Sequence, residues 1–225
     1  MKPNTIESDH FILHFYDDDR PVIDKILKNL ESNYKRITSL LQVELPEKSV
    51  LHIYPSLEIF HEAIGEPEVE TWRVGRFDKG IMKMVSPNNP GPDHDYDSIM
   101  AVAIHEFVHL AAEQINSNAP DYIAEGLATY LANQGGAYIK DAIQDDLNSG
   151  SFPSLAQVKD MADYIYSYAL MEYVVSEYGV DGMLKLYKTA DIYKAFGFSD
   201  DEFYEKWKTY LVKTYSIECD TGTKH

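Results

Sequence analysis

The chain predicts an α+β protein: a small mixed β-sheet with its helices in the first half, then a mainly helical second half. Three observations predict this. Before residue 98, short runs rich in β-branched and aromatic residues flank one long helical pattern and stop at Asp, Pro or Gly. After residue 98 the pattern is helical. A hydrophobic content of 44% over 225 residues supports a real core, so disorder is not the default.

Residues 11–16 read as the first strand, closing in Asp17-Asp18-Asp19. Asp19 stands as cap and Pro21 near the first position of a helix whose Ile23, Ile26, Leu27, Leu30, Tyr34, Ile37 and Leu41 keep helical spacing. Residues 50–54 form a second strand stopped by Pro55, and 58–64 a short helix. Residues 80–85 form a third strand, ended by Ser86-Pro87. A Pro, Asn and Asp loop over 87–97 leads to Asp97 or Ser98 as the cap of the next helix. Ser154 with Gln157 and Ser199 with Glu202 have capping-box spacing. Further helices are expected at 163–178, 180–189 and 200–215. No composition break marks a linker, so residues 1–225 are expected to form one domain. Its mixed lobe covers 1–118, its helical lobe 119–215 and a polar tail 216–225.

One helix carries chemistry. From Ile99 to Ala112 every residue is apolar except His105, Glu106 and His109. A helix that is hydrophobic all round is buried. Burying imidazoles and a carboxylate is costly unless they are hydrogen-bonded, paired or bound to a metal. Residues four apart share a helix face, so both histidines can point at one ion. Glu106 lies about 100° round the helix from His105, within reach of a water on that ion. The pentapeptide HEFVH has the form HExxH, the zinc metallopeptidase signature.

Catalytic zinc takes three protein ligands and keeps a fourth position open. The stretch Asp121-Tyr122-Ile123-Ala124-Glu125-Gly126-Leu127-Ala128-Thr129-Tyr130 supplies a third. Asp121 reads as its helix cap, and Glu125 is then its only charged residue. Tyr122, Ile123, Leu127, Tyr130 and Leu131 leave no wide polar face for Glu125 to reach solvent. Gly126 in mid-helix costs roughly 1 kcal/mol relative to Ala, which close packing against a neighbour would explain.

HEFVH followed by PDYIAEGLATY resembles the gluzincin metallopeptidases, and most of all their small peptidase MA-like branch, in which a second helix carries the third ligand in a W-L-x-E-G-x-A-type motif. The resemblance implies a zincin-like fold, one Zn2+ held by His105, His109 and Glu125, and Glu106 as general base. It also implies that Tyr168, in the tyrosine-rich run from Tyr164 to Tyr178, stabilises the oxyanion. Tyr166 is a rival for that role. Tyr122 stands where the family often has tryptophan. The activity implied is zinc-dependent hydrolysis of a peptide or protein substrate. The aminopeptidase gluzincins carry a G-x-M-E-N motif on a strand taken as the sheet edge above the metal. Here Gly80-Ile81-Met82-Lys83-Met84 puts Lys83 where that glutamate would grip an amino terminus, so an endopeptidase, or a carboxylate-tolerant exopeptidase, is expected rather than an aminopeptidase. The alternative is a non-catalytic zincin-fold binding domain with a retained metal, and a two-histidine, one-carboxylate set can also hold iron.

Composition excludes some partners. Twenty Lys and Arg against 37 Asp and Glu give a net charge of −17, which argues against nucleic acid and anionic membranes. No apolar run approaches the length of a membrane span. Residues 1–7 have no signal-peptide core, which places a full-length chain in the cytoplasm and one trimmed of a leader outside the cell. Cys219 is the single cysteine, and a monomer is expected. His10, His14, His52 and His61 have no motif partner and read as exposed or hydrogen-bonded side chains. Residues 93–97 read as a solvated turn, 72–76 as a surface loop, and Thr129 as a hydrogen-bonding neighbour of Glu125.

Overall fold

Alternation of apolar and polar residues along 11–15 and 49–54 dictates a sheet with one face buried. The computed structural model describes residues 3–161 and 163–215, and the chain divides into two compact units. Unit one is Met1–Asn118 with Leu131–Gln134. Its strands are β1 (Asn4–Glu7), β2 (Phe11–Phe15), β3 (Ser49–Tyr54), β4 (Gly75–Asp78) and β5 (Ile81–Val85), in the spatial order β1-β2-β3-β5-β4. Both outer pairs are antiparallel, while β2·β3 and β3·β5 are parallel. Phe11, Leu13, Phe15, Leu51, Ile53, Met82 and Met84 line the buried face.

Against that face lie α1 (Arg20–Leu41) and α3 (Tyr96–Glu113), which also pack on each other. A short helix α2 (Leu57–Ile64) lies between β3 and β4 in the chain, capped by the Ser56 hydroxyl. Ile23, Ile26, Leu30 and Ile37 of α1 and Ile99, Ala103, Phe107 and Val108 of α3 are fully buried. Each large one contributes about 1.5–3 kcal/mol by leaving water. Phe107 meets Phe11 edge-on at 5.1 Å and stacks on Tyr34 at 5.7 Å. This packing fixes the face of α3 that carries the histidines.

Unit two is Ala119–Tyr130 with Gly135–His225. It holds α4 (Asp121–Leu131) up to Tyr130, α5 (Ala137–Ser149), α6 (Leu155–Met161), α7 (Tyr164–Thr189), α8 (Ile192–Phe196) and α9 (Asp200–Tyr215). Both expected capping boxes form: Ser154 and Gln157 open α6, and Ser199 and Glu202 open α9. α7 breaks at Gly179, whose φ of 67° a side chain would resist. Trp207 of α9 is wholly buried and donates its indole N–H to the Ala169 carbonyl of α7 at 3.3 Å. Among the described residues the fold is thus α+β, a five-stranded mixed sheet followed by a mostly helical second half. None of its helices is long and apolar enough to cross a membrane. The tail expected at 216–225, with Cys219, lies outside the described residues.

Several local expectations are corrected. Residues 81–85 are not an edge strand, because β4 pairs outside them. β1 and β4 add two strands to the three expected: both are four residues long, and neither shows clean apolar alternation. The cap of α3 is Asp95, not Asp97 or Ser98. Its carboxylate accepts from the Ser98 N–H at 2.8 Å, and the Ser98 hydroxyl accepts from the Asp95 N–H at 3.0 Å. Asp121 is the first residue of α4 rather than its cap, since the Pro120 carbonyl accepts the first helical bond. Asp19 does precede α1, but its side chain bonds the Ser86 hydroxyl instead of capping.

Candidate metal centre

The histidine pair is a product of helix spacing. His105 and His109 of α3 lie one turn apart, with ring centroids 4.7 Å apart and planes at 71°. Their Nε2 atoms are 3.0 Å apart. His105 is 7% exposed and His109 half-buried. The Nδ1 of His105 lies 2.8 Å from the Gln134 amide oxygen. An amide oxygen only accepts, so Nδ1 carries the proton and Nε2 keeps its lone pair for a ligand. Gln134 belongs to the short segment that joins unit one, where the Leu131 carbonyl accepts from the Arg36 guanidinium of α1 at 2.8 Å.

Glu125 of α4 is half-buried. His105, His109 and Glu125 each offer one ligand atom, and these atoms lie within 4.8 Å of one another. The three therefore form a group that can hold a metal ion. Two nitrogens bound tetrahedrally to one zinc ion at about 2.0–2.1 Å would lie roughly 3.3 Å apart, so the 3.0 Å pair needs to open by only a few tenths of an ångström. Two imidazoles and a carboxylate suit borderline divalent ions in general.

Glu106 is 4% exposed. A Cβ added to Gly75 of β4 would fall 2.3 Å from its Oε1 and 2.5 Å from Cγ1 of Val102. Only a glycine lets the edge strand lie this close to the carboxylate. The register puts Gly75 opposite Met84 and Phe77 opposite Met82, on the sheet face that α3 covers. Arg76 and Asp78 alternate onto the other face, opposite Lys83 and Ile81. Lys83 is therefore not on the edge strand, and it lies on the face away from α3, with its Nζ 3.5 Å from the Ala63 carbonyl of α2, so it does not stand where the aminopeptidase glutamate would. Gly75 and Phe77 take its place: the edge strand presents no acid towards α3.

The elements around Glu125 are closely packed. A Cβ on Gly126 would meet the Ser167 carbonyl oxygen of α7 at 2.4 Å and its carbon at 2.9 Å, the close packing that the sequence suggested. Thr129 donates its hydroxyl to the Glu125 backbone carbonyl at 2.5 Å. The two candidate tyrosines of α7 differ in their surroundings. Tyr166 is 7% exposed and donates its hydroxyl to Asp146. Tyr168 is half-buried, with its hydroxyl 3.5 Å from Oε1 of Glu172. Burial, and then the Glu172 charge, push its phenol up to about 12. Tyr122 is buried in a packing role, likewise pushed up to about 12 by burial and by Asp200 and Asp191.

The remaining candidates are structural. His10 bonds Glu31 at 2.7 Å and stacks on Tyr34. His14 bonds Thr5, His61 bonds the Arg73 carbonyl, and His94 bonds the Trp72 carbonyl. His52 packs edge-on against His14. Gln134 and Gly75 stand in no motif, and the sequence does not single them out. No model of a known protein family matches the chain, and no curated protein sequence is significantly similar to it.

Proposed function

We propose that this chain is a zinc metallopeptidase of the gluzincin type, close to the peptidase MA-like branch, which hydrolyses internal peptide bonds of peptide or protein substrates. The observation that carries the reading is the His105, His109 and Glu125 group, with buried Glu106 on the same helix as the two histidines. A mixed sheet packed on the HExxH helix, followed by a mainly helical half, supports a zincin-like fold. When bound, zinc supplies a Lewis acid and lowers the pKa of water towards about 7.

The chain's own residues do the rest. Glu106 takes the proton of the attacking water and passes it to the leaving amine. Its burial under Gly75 confines the carboxylate to one side of α3. Tyr168 donates its hydroxyl to the oxyanion; with a phenol pushed up to about 12 it stays protonated at any working pH. Tyr166 is the weaker choice because its hydroxyl already donates a hydrogen bond to Asp146. The edge strand β4 offers backbone groups to an extended substrate, a sequence-tolerant mode of pairing. With only Gly75 and Phe77 on its α3 side, it has no carboxylate there to grip a free amino terminus, which favours endopeptidase action.

A peptide-library digest with and without chelator, read by mass spectrometry, tests the reading. Cleavage inside peptides should require metal, and metal analysis of protein purified without additions should find zinc rather than iron. Glu106→Gln should retain zinc and lose cleavage. A Glu106→Gln protein that cleaves at the wild-type rate would refute the base assignment.

A further inference from the structure

Glu172 has a place in unit two that no motif announced. It lies one helical turn beyond Tyr168 on α7, so the two side chains share a face. One carboxylate oxygen takes the Tyr215 hydroxyl of α9 at 2.5 Å, and the other stands 3.5 Å from the Tyr168 hydroxyl. Tyr215 is buried, and its backbone carbonyl accepts from Nε2 of Gln144 on α5 at 2.6 Å. The Tyr168 ring is flanked by the Tyr130 ring of α4 at 5.9 Å. The backbone at Gly135 crosses its hydroxyl so closely that a Cβ there would sit 2.1 Å from that oxygen.

We propose that Glu172, clamped by Tyr215, is a positioning residue that aims the Tyr168 hydroxyl in the reaction. This rests on the peptidase reading above. The two distances suit the task. The short, charge-assisted bond goes to Tyr215, and with the Tyr210 hydroxyl of α9, which also bonds Glu172, it holds the carboxylate still. The contact to Tyr168 is at the weak limit of hydrogen bonding, so it orients the phenol without holding its proton against a stronger acceptor. An oxyanion is such an acceptor. Among the described residues, the charged and titratable groups around the Tyr168 phenol are Glu172 of its own helix, Tyr130 of α4, and Tyr210 and Tyr215 of α9. Glu172 is the only carboxylate among these, and it opposes ionisation of the phenol.

The test compares wild type, Tyr168→Phe, Glu172→Gln, Tyr215→Phe and the Tyr168→Phe/Glu172→Gln double variant, all loaded with zinc and given an internally quenched peptide. Tyr168→Phe is expected to lower kcat by about 10²–10³. Glu172→Gln and the milder Tyr215→Phe are each expected to lower kcat by about tenfold with KM unchanged. The double variant should be no slower than Tyr168→Phe alone, because the two residues act as a unit. Zinc affinity by chelator competition should be equal throughout. A readout without catalysis is the tyrosinate absorbance difference between each background and its Tyr168→Phe counterpart, followed from neutral pH to the onset of unfolding. It should rise at lower pH in the Glu172→Gln background. Additive losses in kcat, or an unmoved difference titration, would overturn the inference while leaving the peptidase reading intact. A zinc-loaded wild type that cleaves nothing would remove both.

Discussion

Replacing Gly126 with alanine sets two known effects against each other. Alanine gains about 1 kcal/mol of helix propensity over glycine in a helix interior. Against it, the new Cβ would stand 2.4 Å from the Ser167 carbonyl oxygen and 2.9 Å from its carbon. Both are backbone atoms, so no rotamer change relieves them. Ordinary contact then requires α4 and α7 to part by about 1 Å, and overpacking of that kind costs typically about 1–3 kcal/mol. The net is a loss of about 0–2 kcal/mol, or up to roughly 8 °C in Tm at about 2–4 °C per kcal/mol for a chain of this size. Function should suffer more than stability. Glu125 precedes the altered residue and Tyr168 follows Ser167, and a misplacement of about 1 Å can cost about 100-fold in rate. Calorimetry of the metal-free protein, chelator competition for zinc and peptide hydrolysis read the three effects. A Tm raised by about the propensity gain, with zinc affinity unchanged, would refute the claim that these backbones touch.

Three other outcomes follow from the same geometry. Gln134→Ala should weaken zinc binding by roughly 10–100-fold with the circular dichroism spectrum intact, because the His105 Nδ1 would lose its bond to the Gln134 amide oxygen; unchanged affinity would remove that role. Gly75→Ala should retain zinc and lower turnover by about tenfold, since its Cβ must displace the Glu106 carboxylate or Val102; wild-type kcat would show that the strand is free to move aside. Stability should fall in alkali. Tyr122 and Tyr168 are pushed up to about 12, chiefly by burial and then by acidic neighbours, and Tyr173 and Tyr215 are raised as well. A raised folded pKa gives stability that is complete below the ordinary tyrosine value of about 10 and lost as pH rises through the folded value. Melting temperatures flat from neutral pH to about 10 and falling above it are expected, and a flat profile to about pH 11 would contradict the tyrosine shifts.

What was legible in the sequence follows from where the forces act. β2, β3 and β5 alternate or run apolar because one sheet face is buried, so each could be read alone. β1 and β4 exist because a neighbouring strand offers hydrogen bonds, and Asn4-Thr5-Ile6-Glu7 and Gly75-Arg76-Phe77-Asp78 carry little signal of their own. Strand order has no local signature either, so nothing in residues 80–85 shows that β4 occupies the edge outside them. The His105, His109 and Glu125 group was visible because polar side chains in an apolar helix need a reason to be there. Gln134 was not: its role comes from an exposed-looking turn after α4 reaching back to a ring on α3.

Three glycines connect these points. Gly75 brings a strand onto Glu106, Gly126 brings α4 onto the Ser167 carbonyl, and Gly135 brings a turn onto the Tyr168 hydroxyl. None of them is at a positive φ, so backbone conformation does not demand glycine at any of the three. What demands it is space. In a strand or a mid-helix position a glycine weakens its own element by roughly 0.5–1 kcal/mol relative to alanine. Each of these glycines lies against, or directly beside, a residue assigned a part in the chemistry. Local propensity is overruled where side chains must be held within fractions of an ångström, because a loosely supported carboxylate or phenol would lose the orientation that makes it useful. Close backbone approach, rather than a further motif, is therefore what packs around the candidate site residues of this chain.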